Sequence, residues 1–292
     1  MLTIEEIKNK MLSFDKNFAT IRIVSAIKQY FSKTGAKKGI IGISGGVDSS
    51  VTLALLIRAI GNENIFALLL PHGKITPKQD VNDAIELVES YGVNYEIIEI
   101  DNVVNKFMEE LEGKNIEINN IVRGNIIARS RMIILYSYAN AHRGLVVGSG
   151  DKSELLIGYF TKYGDGGVDI LPIGDLYKLQ VRELAIHLGL DEKIAYKPSS
   201  PGLWPGQTAE SELGISYNII DSILYAFIEM KLPLEQLIKI KDINQEVILS
   251  IIQRVLKTEH KRRFPFIPKL SPSWTIGIDW RVPRISNIKS II

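Results

Sequence analysis

A glycine- and serine-rich stretch, residues 42–50, has the residue types and the spacing that bind phosphate. It reads Gly-Ile-Ser-Gly-Gly-Val-Asp-Ser-Ser and lies between an apolar run at 39–43 and a helical pattern at 49–60. Where a strand leads through a glycine-rich turn into a helix, unpaired backbone N–H groups meet the positive end of the helix dipole. The glycines permit close backbone approach, and the serine hydroxyls add hydrogen-bond donors. We therefore predict a phosphate-binding loop.

The acidic residue of this loop, Asp48, distinguishes it from the Walker A motif. The Lys of G-x-x-x-x-G-K-[ST] is missing, and Asp48 stands where phosphate would bind. A carboxylate beside a polyphosphate requires a bridging divalent cation. The alternative interpretation is a serine-rich turn in which Asp48 caps the helix.

A second acidic residue, Glu154, closely follows the apolar run at 145–147. Because ligands bind beyond the carboxyl ends of the strands in open parallel sheets, Glu154 could reach the same cation as Asp48. Two carboxylates, triphosphate oxygens and waters would satisfy Mg²⁺, which prefers six oxygen ligands. Taken alone, Glu154 would instead be an ordinary acid in the first turn of a helix.

The composition excludes several classes of function. The 292 residues carry a formal net charge of +2, which gives no broad field to hold nucleic acid or a membrane surface, and Lys261-Arg262-Arg263 is too short a basic patch to change this. The chain contains no cysteine, which removes disulfides, thiolate metal sites and a Cys nucleophile. No signal peptide and no apolar run of roughly 18 residues is present, so we expect a cytoplasmic protein.

Short β-branched runs alternate with longer helical patterns, as in a parallel sheet covered by crossover helices. Five strands are predicted, at 39–43, 65–70, 95–100, 145–147 and 168–171. Helices are predicted at 49–60, 77–91, 125–141 and 177–188. This order indicates a doubly wound α/β fold with a mainly five-stranded parallel sheet.

Residues 198–214 interrupt this alternation with several prolines and glycines around one tryptophan, which predicts a long loop able to act as a lid. Further helices are predicted at 216–230, 234–240 and 244–257, before a proline-rich tail from Phe264. We predict a single domain with a sheet core (about 17–197), the lid segment (198–214) and a helical carboxyl-terminal part (215–292).

The motif S-G-G-x-D-S in the loop resembles the pyrophosphate loop of the ATP pyrophosphatases, which transfer AMP. Further stretches narrow the resemblance to the NAD synthetase family, over about residues 17 to 265. They are NIIARSRM at 125–132, GSGDKSE at 148–154, GYFTKYGDGGVD at 158–169, GQTAE at 206–210 and TEHKR at 258–262. The resemblance implies an adenine-nucleotide α-hydrolase-like fold with flanking helices.

The resemblance also implies the roles of individual residues. ATP would be bound by Gly42, Ile43, Ser44, Gly45, Gly46, Val47, Asp48, Ser49, Ser149, Lys178 and Ser200. Mg²⁺ would be held by Asp48 and Glu154. The substrate deamido-NAD would be bound by Arg129, Lys162, Asp169, His260 and Lys261. Ser149 and Ser200 occupy positions where the family has Thr, so the hydroxyl is kept and the methyl is lost.

Lys178 and Asp165 complete the candidate catalytic residues together with Asp48. Lys178 opens a predicted helix, where the helix dipole does not favour a cation, and this indicates a nearby anion. Without the resemblance, Lys178 and His260 could be solvated surface residues. Asp165 could be a turn residue that stabilises its own backbone, or it could hold ammonium or accept its proton.

One departure from the family concerns the lid, which usually reads G-Q-x-D-E. This chain has Ala209 in place of the acid, so the function of that side chain must be dispensable or shifted to Glu210.

The implied reaction is the amidation of deamido-NAD by ammonia, driven by Mg-ATP through an acyl-adenylate and releasing NAD, AMP and pyrophosphate. Glutamine-dependent members carry a glutaminase domain with a catalytic Cys, and this chain has none, so we expect free ammonia as donor and no glutaminase domain. The family commonly forms homodimers. An apolar helix around 126–138 could line that contact or be buried within one subunit.

The sequence leaves two alternative functions open. A tRNA-modifying enzyme of the same superfamily would need a more basic surface and usually cysteines. A non-catalytic nucleotide-binding module would have no reason to keep Glu154 and Lys178 alongside Asp48.

Overall fold

A parallel sheet of four strands lies at the centre of the fold in the computed structural model, which describes residues 2–73 and 75–270. The strands are β1 (Lys38–Gly42), β2 (Ile65–Leu69), β3 (Asn94–Ile97) and β4 (Gly144–Val147), in the order β3-β2-β1-β4. In the central strand, Ile40 is in register with Phe66 on one side and Val146 on the other. Four of the predicted strands are confirmed, with ends that differ by at most three residues.

The apolar runs of the central strands follow from burial on both faces of the sheet. The side chains of Ile40 and Ile41 point to opposite faces, and both are fully buried. One face packs against α2 (Lys16–Thr34), α3 (Val47–Ile60), α4 (Lys78–Ser90) and α8 (Lys178–His187), and the other against α5 (Asp101–Leu111) and α6 (Asn120–His142). The doubly wound α/β fold is thereby confirmed.

The prediction of a fifth strand at 168–171 is wrong. Within residues 2–73 and 75–270, this segment contributes one isolated parallel bridge, Val147 to Ile170. The carboxylate of Asp169 accepts a hydrogen bond from the Val146 N–H at 2.8 Å, so a side chain takes the place of a backbone carbonyl. Pro172 follows and cannot donate to a ladder.

Helices account for most of the remaining structure. They are α1 (Ile4–Leu12), α2 (Lys16–Thr34), α3 (Val47–Ile60), α4 (Lys78–Ser90), α5 (Asp101–Leu111), α6 (Asn120–His142), α7 (Lys152–Ile157), α8 (Lys178–His187), α9 (Glu192–Ala195), α10 (Ala209–Leu213), α11 (Tyr217–Ile228), α12 (Leu234–Leu237), α13 (Gln245–Lys257) and α14 (Glu259–Arg262). The predicted helices correspond to α3, α4, α6, α8, α11, α12 and α13. The lid segment is irregular as far as Thr208 and ends in the short helix α10, which the prediction of a loop missed.

A second hydrophobic core lies in the carboxyl-terminal part, around α11 and α13. Ile7 and Met11 of α1 are buried in this core together with Ile157 of α7. Helix α1 therefore packs with the carboxyl-terminal helices, although it precedes the sheet in the chain.

Of the tail from Phe264, residues 264–270 carry no helix or strand, and residues 271–292 lie outside the described part. None of the helices in the described ranges is long and apolar enough to cross a membrane.

Candidate active site

A cavity of about 530 Å³ opens at the carboxyl ends of β1, β2 and β4. Its walls are the turn after β1, helix α6 and the lid segment. This is the edge at which ligands bind in open parallel sheets, because the turns that leave neighbouring strands separate there.

The turn after β1 has the geometry of a phosphate loop. Gly45 has φ +75°, and a Cβ at this position would lie 2.3 Å from the backbone oxygen of Asp80. The Ser49 and Ser50 hydroxyls donate to the Gly46 carbonyl at 3.1 and 2.8 Å. These bonds fix the turn, and the exposed Ser44 lines the cavity.

Replacing Gly45 with Ala should destabilise the protein by about 2 kcal/mol or more, because a left-handed residue would gain a Cβ against backbone. Gly46→Ala is the matched control. Gly46 has φ −99°, and its Cβ would meet only the Ser44 Oγ at 3.4 Å, so we expect a loss below about 1 kcal/mol. Urea unfolding of both variants measures the difference, and equal losses would contradict this explanation of Gly45.

Beside the loop, Lys178 lies at the centre of an acidic cluster formed by Asp48, Asp151 and Glu154. The Lys178 Nζ is 2.6 Å from Asp48 Oδ2, 2.9 Å from Asp151 Oδ2 and 3.0 Å from Glu154 Oε1. The lysine and Asp151 are fully buried, whereas Asp48 and Glu154 keep 20% of their side-chain surface exposed. One carboxylate oxygen from each acid lies within 4.8 Å of the others.

Three carboxylates around one ammonium leave an excess of negative charge in a buried place. Burial, with the repulsion of the neighbouring acids, raises the pKa of Glu154 well above its ordinary value despite the attraction of Lys178. The same causes raise the pKa of Asp151. For Lys178, burial alone would lower the pKa, but the three carboxylates outweigh it and raise the pKa well above the ordinary lysine value.

The donor set of the acidic cluster fits a hard divalent cation. Among the described residues, the buried Asp48 Oδ1 has no hydrogen-bond partner, and Asp151 Oδ2 forms an ion pair without a hydrogen bond. Carboxylate oxygens are the ligands that Mg²⁺ and Ca²⁺ prefer. The residues of the cluster therefore fit such an ion, with Asp48 and Glu154 as its ligands at the cavity.

Asp151, a member of this cluster, is not among the site residues predicted from the sequence. Asp151 is the N-cap of α7, and Glu154 is its capping-box partner, with the Glu154 N–H donating to Asp151 Oδ1 at 2.8 Å. The D-x-x-E spacing is a signal that could have identified it. The anions that the position of Lys178 indicated are, in this structure, the side chains of the acidic cluster.

Asp221, from α11, is hydrogen-bonded to the two helices that carry Glu154 and Lys178. Its Oδ1 accepts from the Ser153 hydroxyl at 2.6 Å and its Oδ2 from the Leu179 N–H at 2.9 Å. The Ser153 Oγ in turn accepts from the Lys178 N–H at 2.9 Å. Burial raises the pKa of Asp221 to about 7.

This raised pKa predicts a pH dependence of stability. An unfolded Asp titrates near 3.8, so between about pH 4 and 7 the folded chain holds a proton that the unfolded chain has lost. The free energy of unfolding therefore falls as the pH rises through this window. The Asn side chain of Asp221→Asn cannot ionise. As the pH rises from 4 to 8, the free energy of unfolding of this variant should therefore gain up to roughly 4 kcal/mol relative to that of the unmodified protein. Urea unfolding of both proteins across this pH range tests the prediction. If the two free energies of unfolding change in parallel with pH, the prediction is wrong.

Of the other candidate residues, Ser149, Ser200, Asp165 and Lys261 line the cavity. Asp165 reaches solvent, yet the protein around its carboxyl removes hydration and raises its pKa, although the Thr161 N–H donates to it at 2.8 Å. The Lys261 ammonium donates to the Gly158 and Phe160 carbonyls at 2.8 and 2.7 Å.

Arg129, Lys162 and His260 form a chain of contacts beside the cavity but do not line it. Arg129 donates to the Lys162 carbonyl at 3.3 Å, and the Lys162 ammonium donates to the His260 carbonyl at 2.9 Å. Asp169 already accepts from Tyr136 Oη at 3.1 Å in addition to the Val146 N–H.

At the lid, Ala209 is buried and lines the cavity. Glu210 does not line the cavity, because its carboxylate accepts from the Tyr217 N–H at 2.7 Å at the start of α11. The acid that does face the cavity is Glu212, which accepts from Tyr159 Oη at 2.7 Å and from Gln207 Nε2 at 2.8 Å. A shift of the missing acid to Glu210 is therefore not what the structure shows.

Known proteins resemble the chain along most of its length. The profile of the NAD synthase family matches residues 19–265. The NH(3)-dependent NAD(+) synthetase of Staphylothermus marinus is 48% identical over 270 residues, which cover 92% of this chain and 96% of that protein. The enzyme of the same name from Saccharolobus solfataricus is 48% identical over 277 residues, 94% of this chain and 97% of that protein.

Solved structures share the fold. The NMN synthetase from Francisella tularensis superposes with a TM-score of 0.77 at 32% identity, covering 88% of this chain and 99% of that chain. The NH3-dependent NAD synthetase from Campylobacter jejuni superposes with a TM-score of 0.74 at 30% identity, covering 88% of this chain and 100% of that chain. The glutamine-dependent NAD+ synthetase from Acinetobacter baumannii superposes with a TM-score of 0.63 at 32% identity, covering 90% of this chain but 48% of that chain.

Proposed function

The chain belongs to the NAD synthase family, and on that premise we propose that it is an ammonia-dependent NAD synthetase, a ligase that forms a carbon–nitrogen bond. The reaction converts ATP, deamido-NAD and ammonia into NAD, AMP and pyrophosphate. The observation that carries the proposal is that the phosphate loop and the acidic cluster border the same cavity.

The chemistry begins with activation of the substrate, because a carboxylate has no leaving group that ammonia could displace. A carboxylate oxygen of deamido-NAD attacks the α-phosphorus of ATP, and pyrophosphate leaves. Ammonia then attacks the carbonyl carbon of the acyl-adenylate, and AMP departs. The reaction needs no side-chain nucleophile. The protein contributes positioning and the exclusion of water that would hydrolyse the mixed anhydride.

The ATP site is proposed at the phosphate loop, with Ser149 and Ser200 facing the same cavity. Loop N–H groups and the amino end of α3 suit the pyrophosphate part of ATP. Lys178 is buried behind the cavity wall and bound to the acidic cluster, so its proposed contact with ATP phosphate requires its ammonium to move.

We propose Mg²⁺ as the metal, held by Asp48 and Glu154. Such an ion neutralises phosphate charge when bound. The unpartnered Asp48 Oδ1 and the clustered carboxylates support this assignment. Asp151 lies beside them and supplies a third negative charge.

The deamido-NAD site is proposed between the cavity and the adjoining surface. Lys261 lines the cavity, and the cations Arg129 and Lys162 lie next to it, where a pyrophosphate or a nicotinate carboxylate would find partners. His260 and Asp169 complete the proposed set. The raised pKa of Asp165 favours its proposed role as acceptor of the ammonium proton.

Free ammonia is the proposed nitrogen donor. The relatives of this chain from S. marinus and S. solfataricus are named NH(3)-dependent synthetases. This chain also has no cysteine to act as a glutaminase nucleophile. A location in the cytoplasm and a single-domain organisation stay predictions.

We also propose a homodimer. Most apolar residues of α6, such as Ile126, Ile134 and Leu135, pack within the subunit, but Ile121 and Ile133 are exposed and available for a contact. Light scattering coupled to gel filtration measures the mass in solution, and a monomer at working concentration would contradict the proposal.

The test of function is to incubate the pure protein with Mg-ATP, ammonium and deamido-NAD and to assay NAD by chromatography. We expect ammonium-dependent NAD with matching AMP, and little product when glutamine replaces ammonium. Nicotinate mononucleotide is the second substrate to assay, because a structural neighbour is an NMN synthetase. ATP binding without formation of NAD would overturn the proposed function, and preferential amidation of the mononucleotide would reassign the substrate.

A further inference from the structure

Lys197, the residue that precedes the lid segment, connects three parts of the site through its ammonium. The Lys197 Nζ is 2.6 Å from Asp80 Oδ1 and 2.6 Å from Asp83 Oδ2, both on α4. It also donates to the Gly45 carbonyl of the phosphate loop at 3.1 Å. The side chain is partly buried and lines the cavity.

The bond to Gly45 determines which way the loop peptide faces. In a trans peptide the C=O and the following N–H point in opposite directions. With the Gly45 carbonyl turned toward Lys197, the Gly46 N–H points away from Lys197, and it donates to the Ser44 hydroxyl at 3.3 Å. Gly45 has no Cβ to hinder rotation of this peptide, so its orientation depends on these two hydrogen bonds, one at each end of the peptide.

We propose that Lys197 is a positioning residue for ATP: its ammonium binds the Gly45 carbonyl, and Gly45 does not line the cavity, so that the loop presents N–H donors rather than a carbonyl oxygen to the pyrophosphate part. The inference rests on the proposed function in taking ATP as the ligand. A carbonyl oxygen turned into the site would repel phosphate oxygens, whereas the N–H groups attract them.

The two aspartates of α4 serve to hold the ammonium in place. Burial alone would lower the pKa of Lys197, but its hydrogen bonds to Asp80 and Asp83 outweigh this and raise the pKa, so the side chain stays charged. A charged donor forms a stronger hydrogen bond to a carbonyl than a neutral one.

An ion pair with Asp83 alone would not explain this arrangement. Asp83 also accepts from Gln79 Nε2 at 2.6 Å and from Lys193 Nζ at 3.3 Å, so it keeps partners without Lys197. Lys193 is 65% exposed and shares the Asp83 carboxylate, but none of its hydrogen bonds among the described residues reaches the phosphate loop. Lys193 is therefore a matched control for the loss of one lysine partner of Asp83.

The experiment compares Lys197→Met, Lys197→Arg and Lys193→Met in steady-state kinetics, with Kd for Mg-ATP from calorimetry and Tm as a check on folding. We expect Lys197→Met to raise KM and Kd for ATP about tenfold, while KM for deamido-NAD changes less than about twofold. Lys197→Arg should recover part of the ATP affinity, and Lys193→Met should leave it unchanged.

Equal effects of Lys197→Met and Lys193→Met on ATP affinity would overturn the proposal, since both then act only through Asp83. A parallel rise of both KM values would do the same, because it would indicate general disruption of the site. If the unmodified protein forms no NAD, the proposed function fails, but the calorimetric comparison with Mg-ATP still decides the role of Lys197.

Discussion

Asp48→Asn should lower kcat by about a hundredfold or more and should raise the Mg²⁺ concentration needed for half-maximal activity. The substitution keeps the shape of the side chain but removes one of the three charges of the acidic cluster, the one that belongs to the phosphate loop. A charge placed where the reaction develops charge contributes about 3–4 kcal/mol, which corresponds to this loss. Initial rates measured across a Mg²⁺ titration give both quantities.

The matched control is Asp175→Asn. Asp175 is 95% exposed and binds Lys152 at 2.8 Å, so it is also an aspartate paired with a lysine, but it does not line the cavity of the candidate active site. Exposed ion pairs contribute about 0–1 kcal/mol, and we expect normal activity. An Asp48→Asn enzyme with a normal rate and an unchanged Mg²⁺ dependence would remove Asp48 from the proposed metal site.

Lys178→Met should destabilise the metal-free protein by about 3–5 kcal/mol at pH 8, because it leaves the buried Asp151 and the largely buried Asp48 and Glu154 without their cation. Urea unfolding with and without Mg²⁺ measures the loss, and the metal should restore much of the stability. The matched control is Lys152→Met, since Lys152 binds Asp175 and Glu229, carboxylates that are 95% and 38% exposed. We expect the control to lose less than about 1 kcal/mol.

The sign of the pH effect provides a second check on Lys178. The folded pKa values of Asp151 and Glu154 already lie above their ordinary values, and loss of the ammonium raises them further. The folded variant therefore takes up protons before the unfolded chain does as the pH falls, so its deficit in stability should shrink toward acid. A deficit that is equal at pH 8 and pH 5.5 would contradict the electrostatic explanation.

The sequence was sufficient to predict the parts of the site that depend on local order along the chain. The runs at β1 and β2 are apolar because both faces of these strands are buried, and the motif at 44–49 directly follows β1. Asp48 and Glu154 each belong to the first turn of a helix after a strand, and the parallel sheet brings these turns to one edge. Their proximity could therefore be predicted, whereas their role as metal ligands stays a prediction.

The contacts of Lys178 could not be predicted, because they depend on packing between distant parts of the chain. Lys178 and Asp48 are 130 positions apart, and their contact requires α8 to lie against α3. The strand predicted around Ile170 is wrong because its pairing also depends on a contact between distant parts of the chain. The neighbouring Asp169 uses a side-chain carboxylate in the ladder, which a pattern of apolar residues does not report.

The acidic cluster lies where the two hydrophobic cores meet. Asp48 belongs to α3, whose Val47 and Val51 pack in the sheet core, whereas Ile157 of α7 and Leu179 of α8 pack in the carboxyl-terminal core. Helix α8 contributes residues to both cores. A cation or nucleotide bound at the cluster adds further contacts between the two cores, and it should make them unfold as one cooperative unit. In the ligand-free protein the carboxyl-terminal helices would then exchange their amide hydrogens earlier than the sheet, and saturating Mg-ATP should bring the two rates together.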